Sequence, residues 1–231
     1  MEEKERMDAT GLTEEPYSGM AEELRQMLAP FQGGRRDRSA ARLQEMQRLD
    51  EQKLRAALLL WLQRHYQRGE TSLEEAARLL LWARDVPRFS LEREDWAERL
   101  ETDILRYAAQ SRRQLSKGKN PAICARVQVI LEEQFETATL KTAADMVGVN
   151  SSYLSRTISQ TYGCSFVDLL HCRRILAAVG QFAAPGAKES VEAVSMRVGY
   201  ATVHHFYCVF RRYIGFPPKE MQTLIRLMRN G

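Results

Sequence analysis

The sequence predicts an all-α protein, with a small helical bundle followed by a larger helical domain. Three observations carry that expectation. Apolar residues recur at three- and four-residue steps along most of the 231 residues. No stretch alternates apolar and polar side chains as a half-buried strand would. Two short helical pairs, each broken by glycine, lie one after the other near the C-terminus.

The chain opens on MEEKERMD, which is acidic and has no apolar core segment, so no signal peptide is expected. The longest apolar run, Ala56–Leu62, is ended by Gln63-Arg64, well short of the ~20 residues of a membrane span. The four cysteines, Cys124, Cys164, Cys172 and Cys208, have neither CxxC spacing nor a paired histidine pattern. They are expected to be small buried hydrophobes in a reducing cytoplasm, not a disulfide framework or a zinc site.

Residues 1–38 mix charge with Gly11, Pro16, Gly19, Pro30 and the run GGRRDR, and are expected to be a flexible segment with at most a short amphipathic helix at Met20–Leu28. Residues 39–110 are expected to form a helical regulatory or oligomerisation domain. Its first helix runs from Ser39 to Tyr66 on Leu43, Met46, Leu49, Leu54, Leu58, Trp61 or Leu62, and Tyr66. Leu58–Leu62 is apolar on more than one face, so this helix lies deep in a core or meets a second chain, and a homodimer or protein partner through residues 39–110 is anticipated. Asp50 and Lys53 interrupt the seam and argue against a long coiled coil. Gly69 closes the helix.

Thr71 and Ser72 with Glu74 and Glu75 form a capping-box signature for a second helix to Arg84, with Leu73, Ala76, Ala77, Leu80 and Leu81 buried and Trp82 nearby. Val86-Pro87 ends it. A third helix is expected from a Ser90 cap to Gln110, with Trp96, Leu100, Ile104 and Tyr107 on one face. Ser111–Asn120, SRRQLSKGKN, is polar and basic and is taken as a linker. Residues 121–231 then form a separate domain, whose first helix, Ala122–Phe135, turns Ile123, Val127, Ile130 and Leu131 inward.

From Thr139 the pattern becomes specific. Leu140, Ala143, Ala144 and Val147 make one face of a short helix, Gly148-Val149 breaks it, and Asn150 caps a second helix from Ser151 to Tyr162. Tyr153, Leu154 and Ile158 are expected to face back onto the first. Two short helices at a glycine turn, the second with Ser152, Ser155 and Arg156 outward, make a helix-turn-helix. The pattern then recurs: Val191, Val194 and Ser195 stand for Leu140, Ala143 and Ala144, and Val198-Gly199-Tyr200 for Val147-Gly148-Val149. Phe206, Val209 and Phe210 stand for Leu154, Thr157 and Ile158. The offset from Gly148 to Gly199 is 51 residues, taken as constant through both copies. Between them, Phe166 to Ala183 forms a long helix on Phe166, Leu169, Leu170, Arg173 or Arg174, and Ala177.

Residues 121–231 thereby resemble the DNA-binding domain of the AraC/XylS transcription regulators. The resemblance rests on Val149 to Arg156, Gly163-Cys164-Ser165-Phe166, Arg174-Ile175 with Ala178, and Val198-Gly199-Tyr200 through Phe206, Phe210, Gly215, Pro217 and Pro218. It implies seven helices with two helix-turn-helix units on a central helix. It also implies a bacterial, cytoplasmic transcription regulator, an activator by preference, with double-stranded DNA and RNA polymerase as partners. The N-terminal half lacks the strands of the sugar-binding barrel common in that family. The stretch before the domain resembles the helical region of YesN-type response regulators, with no receiver pattern ahead of it.

Candidate DNA contacts are the caps and outward positions of the two second helices. In the first unit these are Asn150, Ser151, Ser152, Ser155 and Arg156, with Arg156 foremost because a guanidinium pairs bidentately with guanine. In the second they are Thr202, Val203, His204, Tyr207 and Cys208, followed by the basic pair Arg211 and Arg212. Cys208 stands where the first unit has Arg156, and His205 is expected to pack. The charge agrees: residues 121–231 hold 12 Lys+Arg against 8 Asp+Glu, leaving 34 − 12 = 22 and 30 − 8 = 22 for residues 1–120, so the net +4 belongs to the reading half. No cofactor, no metal and no enzymatic reaction are expected: there is no phosphate loop and no metal set, and residues 1–120 lack the nucleophilic cysteine that a fused alkyl-transfer enzyme would need. Their only histidine, His65, has no matched carboxylate pair.

Overall fold

The computed structural model describes residues 19–29, 40–85, 96–115 and 120–230, with side chains described for all of these except 40–50, 84–85, 96, 108–115 and 230. The described residues form eleven helices and no strand: α1 (Met20–Leu28), α2 (Ala40–Gln67), α3 (Leu73–Asp85), α4 (Trp96–Leu115), α5 (Pro121–Glu133), α6 (Leu140–Val147), α7 (Ser151–Tyr162), α8 (Phe166–Ala183), α9 (Val191–Arg197), α10 (Val203–Ile214) and α11 (Pro218–Asn230). The all-α expectation holds, and α5 to α11 supply the seven helices of the C-terminal domain.

Several helix starts are fixed by side-chain caps. Ser72 and Glu75 form the anticipated box at α3, with the Ser72 amide donating to Glu75 Oε2 at 3.2 Å and the Glu75 amide to Ser72 Oγ at 3.3 Å. Thr139 with Thr142 boxes α6, and Ser165 with Asp168 boxes α8. Each such pair satisfies amide donors that the first helical turn leaves free.

Helix α8 is the centre. Ten of its 18 residues are buried, more than one amphipathic stripe would require, because α2, α3, α5, α7, α9 and α11 all pack on it. Arg174 is among the ten. Its Nε donates to the Phe135 carbonyl at 2.9 Å and its Nη2 to the Glu136 carbonyl at 3.0 Å, and the guanidinium lies over the Tyr200 ring at 5.3 Å. The loop entering the first helix pair is thus tied to the turn of the second. Gly199 sits on the same loop in the left-handed region (φ 91°), and a Cβ there would lie 2.2 Å from the Glu136 carbonyl oxygen.

Four expectations can be set against the structure. The spacing between the two helix pairs is 51 residues only as far as Val149 and Tyr200; the caps Asn150 and Thr202 are 52 apart, since Ala201 lengthens the second turn. Met20–Leu28 is the short amphipathic helix allowed for within residues 1–38: Met20, Leu24, Met27 and Leu28 fall on one stripe and bury against α2, α4 and α11. Of the two placements expected for Leu58–Leu62, the structure shows the buried one: all five residues lie within the molecule, in the helix that packs on the N-terminal helices and α8. Finally, α4 continues through Leu115 into the presumed linker, whose residues 111–115 are good helix formers with no Gly or Pro before Gly118. Ser90, Pro87, the GGRRDR run and linker residues 116–119 lie outside the described residues, as do the side chains of Leu43, Met46, Leu49 and Trp96.

The two halves share one core. Gly180, in the interior of α8, is where α2 comes closest: a Cβ there would meet Gln63 Nε2 at 2.8 Å and Gln67 Nε2 at 3.2 Å. A mid-helix glycine costs about 1 kcal/mol against alanine, and this approach accounts for it. His65 is buried in α2, stacked on Trp61 with centroids 3.9 Å apart and its Nδ1 3.0 Å from the Trp61 carbonyl.

Under the second helix pair, His171 Nδ1 lies 3.0 Å from the Tyr200 hydroxyl. Burial, then the neighbouring Arg174 and His205, hold its imidazole down at about 4. Burial alone would raise the Asp168 carboxyl, but hydrogen bonds from Ser165 and from the Tyr213 hydroxyl (2.6 Å) outweigh it and hold it below the ordinary value.

These contacts set two expected outcomes. Gly199→Ala adds a backbone clash to positive-φ strain and costs about 2–5 kcal/mol, whereas Gly148→Ala, with nothing within 4 Å of its Cβ, costs about 1–2 kcal/mol. Urea melts of the two variants check this, and equal losses contradict the seating of Gly199 on Glu136. Between pH 6.5 and about 4 the unfolded chain protonates His171 while the folded one does not. Stability therefore falls as the pH drops through that window, and His171→Phe flattens the slope. Asp168, depressed in the fold, adds a further loss at more acidic pH, below its ordinary 3.8.

Candidate nucleic-acid interface

Each reading helix is built the same way. Asn150 Oδ1 accepts the Tyr153 amide at 2.8 Å and starts α7; Thr202 Oγ1 accepts the His205 amide at 3.2 Å and starts α10. These two cap side chains are therefore engaged in starting the helices. Behind them, Leu154, Thr157 and Ile158 bury in the first unit, and Phe206, Val209 and Phe210 in the second. Ala143 and Ala144, fully buried, let α6 lie close against α7.

With that register, the outward stripe of α7 is Ser152, Arg156, Ser159 and Gln160, all exposed, flanked by half-buried Ser151 and Ser155. The stripe of α10 is His204, Cys208, Arg211 and Arg212, also exposed, flanked by half-buried Val203 and Tyr207. The outward positions predicted from sequence thus fall on the exposed sides of their helices. Ser159 and Gln160 were missed, although they lie three and four residues beyond Arg156 and helical spacing alone places them on its stripe.

Two placements differ from expectation. Tyr153 does not face α6: it is 42% exposed and its hydroxyl accepts from the Asn120 amide, tying α7 to the start of α5. Its position one residue before Leu154 puts it off the buried stripe. His205 is exposed, though its ring stays edge-on to Tyr200 at 5.4 Å and to His171 at 6.0 Å. Three of the four cysteines are buried as anticipated, and Cys208 is not. Its Sγ lies 3.5 Å from His204 Nε2, so the two outward groups of the second unit satisfy each other.

The basic residues divide by role. Arg173 donates to Glu132 at 3.0 Å, Arg174 is spent on the carbonyls described above, and Arg197 forms a two-point pair with Glu189 at 2.7 and 2.8 Å. Arg156, Arg211 and Arg212 are exposed and form no ion pair among the described residues. They are the cations of α7 and α10 left for an external anion.

The far ends of both helices are held by the N-terminal half, a feature the sequence reading missed. α7 ends at Gly163 (φ 69°) and α10 at Gly215 (φ 93°). Arg78, from α3, places Nη2 3.0 Å from where a Gly163 Cβ would be, and Arg55, from α2, places Nη1 2.8 Å from that of Gly215. Arg55 also donates to the Ile214 carbonyl at 3.4 Å. A guanidinium at a helix C-terminus meets the negative end of the helix dipole. The one sequence signal was Arg78 itself, a long cation beside the apolar stripe of α3.

Residues 143–223 match the family model described as a helix-turn-helix domain, a span that contains α7 to α10 and most of α6. Among solved structures, the C-terminal domain of AraT, a response regulator from Geobacillus stearothermophilus, is 29% identical, with 45% of this chain and 85% of that one covered and a TM-score of 0.41. No curated protein matches the chain. No helix among the described residues is long and apolar enough to cross a membrane. With two capped helix pairs, exposed polar stripes and unpaired arginines on both, residues 143–223 are a helix-turn-helix domain of the AraC type, and they make this chain a DNA-binding transcription regulator.

Proposed function

We propose that the chain is a sequence-specific, non-enzymatic transcription activator that works in the cytoplasm with RNA polymerase, and that it places α7 and α10 in successive major grooves of one duplex. The observation that carries this reading is the pairing of buried backs with free outward stripes on two helices hung from a single rigid α8. Helices so held address points ~34 Å apart on one face of the DNA, a site of about 20 base pairs. The N-terminal half tunes the output through Arg55 and Arg78.

The two stripes divide the work. Arg156, exposed and unpaired near the start of α7, reads guanine. The second unit reads weakly, since Cys208 and His204 bond to each other, and contributes affinity through phosphate contacts of Arg211 and Arg212.

In titrations against a bound genomic fragment and its single-base variants, Arg156→Ala is expected to lose about 1–3 kcal/mol of discrimination at one base pair. Arg212→Ala is expected to weaken all sequences alike and to lower the salt slope by about 1. Equal loss of base preference in both variants overturns the division.

A further inference from the structure

A cavity of about 580 Å³ opens where the two halves of the chain meet. Its walls come from the α2 end and the α2–α3 turn on one side, and from α5 and α8 of the DNA-binding domain on the other. Thr71, Glu74, Gln128, Glu132, Arg173 and Leu176 line it. That volume falls in the range of small-molecule sites.

One side of it is a closed network. Glu132 accepts from the Tyr66 hydroxyl and, at 3.0 Å, from Arg173 Nε, while the Arg173 guanidinium lies over the Phe135 ring at 4.1 Å and the Tyr66 ring at 5.5 Å. The charges of Glu132 and Arg173 therefore cancel across this wall.

The opposite side is not closed. Thr71, 3% exposed, has a buried Oγ1 that bonds to nothing, and half-buried Glu74 has a buried Oε2 with no donor. Glu74 has no ion-pair partner among the described residues. A buried polar atom without a partner costs about 1–3 kcal/mol, and two in one wall of one cavity mark a place where the fold supplies acceptors but no donor. The wall carries the Glu74 carboxylate and the Thr71 hydroxyl, beside Leu176.

We propose that this cavity binds a small organic cation bearing a primary ammonium group, with the ammonium on Glu74 and Thr71 and polar groups of the ligand on Gln128. Because the walls belong to both halves, such a ligand bridges the α2–α3 turn to α8. The inference stands apart from the DNA-reading proposal, and its test uses no DNA.

The test is thermal melting of the full chain with glucosamine and putrescine, against the uncharged counterparts N-acetylglucosamine and 1,4-butanediol. At least one of the two amines is expected to raise the melting temperature, by about 5–10 °C at roughly a hundredfold excess over its Kd. Its uncharged counterpart is expected to do nothing. Glu74→Gln abolishes the shift. Should that variant not fold, Ala177→Phe, which fills the cavity from α8 and leaves the carboxylate in place, abolishes it instead. No shift with either amine, an equal shift with an uncharged counterpart, or a full shift in the folded variant overturns the proposal.

Discussion

The structure depends on one buried cation. Arg174 stands in the middle of α8 and bonds the carbonyls of Phe135 and Glu136 while lying over Tyr200. The carbonyls belong to the approach to the first helix pair and the ring to the turn of the second. A guanidinium has a planar fork of donors, so it fixes direction as well as distance; lysine could not hold both carbonyls in this way. Gly199 completes the joint, because only a residue without a Cβ can rest on the Glu136 carbonyl. The relative placement of the two reading helices follows from this contact more than from the length of α8.

Around that joint the N-terminal helices are not a loosely attached second body. The close approach at Gly180 lets α2 lie on α8, and Leu58–Leu62, expected either deep in a core or against a second chain, is buried in that packing. The same helices reach the C-terminal ends of α7 and α10 through Arg78 and Arg55. Small-to-large change at such a contact is costly because packed interiors do not deform continuously. A disturbance in α2 or α3 is therefore felt at both reading helices, through contacts at their distal ends.

What could be read from the residues was whatever is local. The caps at Ser72 and Asn150, the glycine after α6 and the inward positions Leu154 and Ile158 of α7 all depend on neighbours within four residues, and all stand as anticipated. The extra residue in the second turn was legible too: Phe206 and Leu154 differ by 52 positions, not 51, but the glycine register obscured it. Non-local facts were hidden. Nothing around Arg55 says that its partner is the Ile214 carbonyl, 159 positions away. Leu58–Leu62 has the same composition whether α8 or another molecule covers it. Tyr153 was assigned inward for being aromatic, whereas its register places it on the rim.

The manner of attachment constrains what regulation can do. Both reading helices are held at their C-terminal ends by Arg78 and Arg55, while Ser152 and Arg156 on one and His204 and Cys208 on the other are exposed. Movement of α2 or α3 can tilt or shift α7 and α10 relative to each other but leaves the groups they present unchanged. On the proposed function, a signal arriving through the N-terminal half would act on whether both helices fit the duplex at once. Simultaneous fit multiplies two modest affinities into one strong one, and misfit forfeits the product. Control of this kind alters occupancy of a given site strongly and the preferred bases hardly at all, which suits a switch built on α8 and its arginine joint.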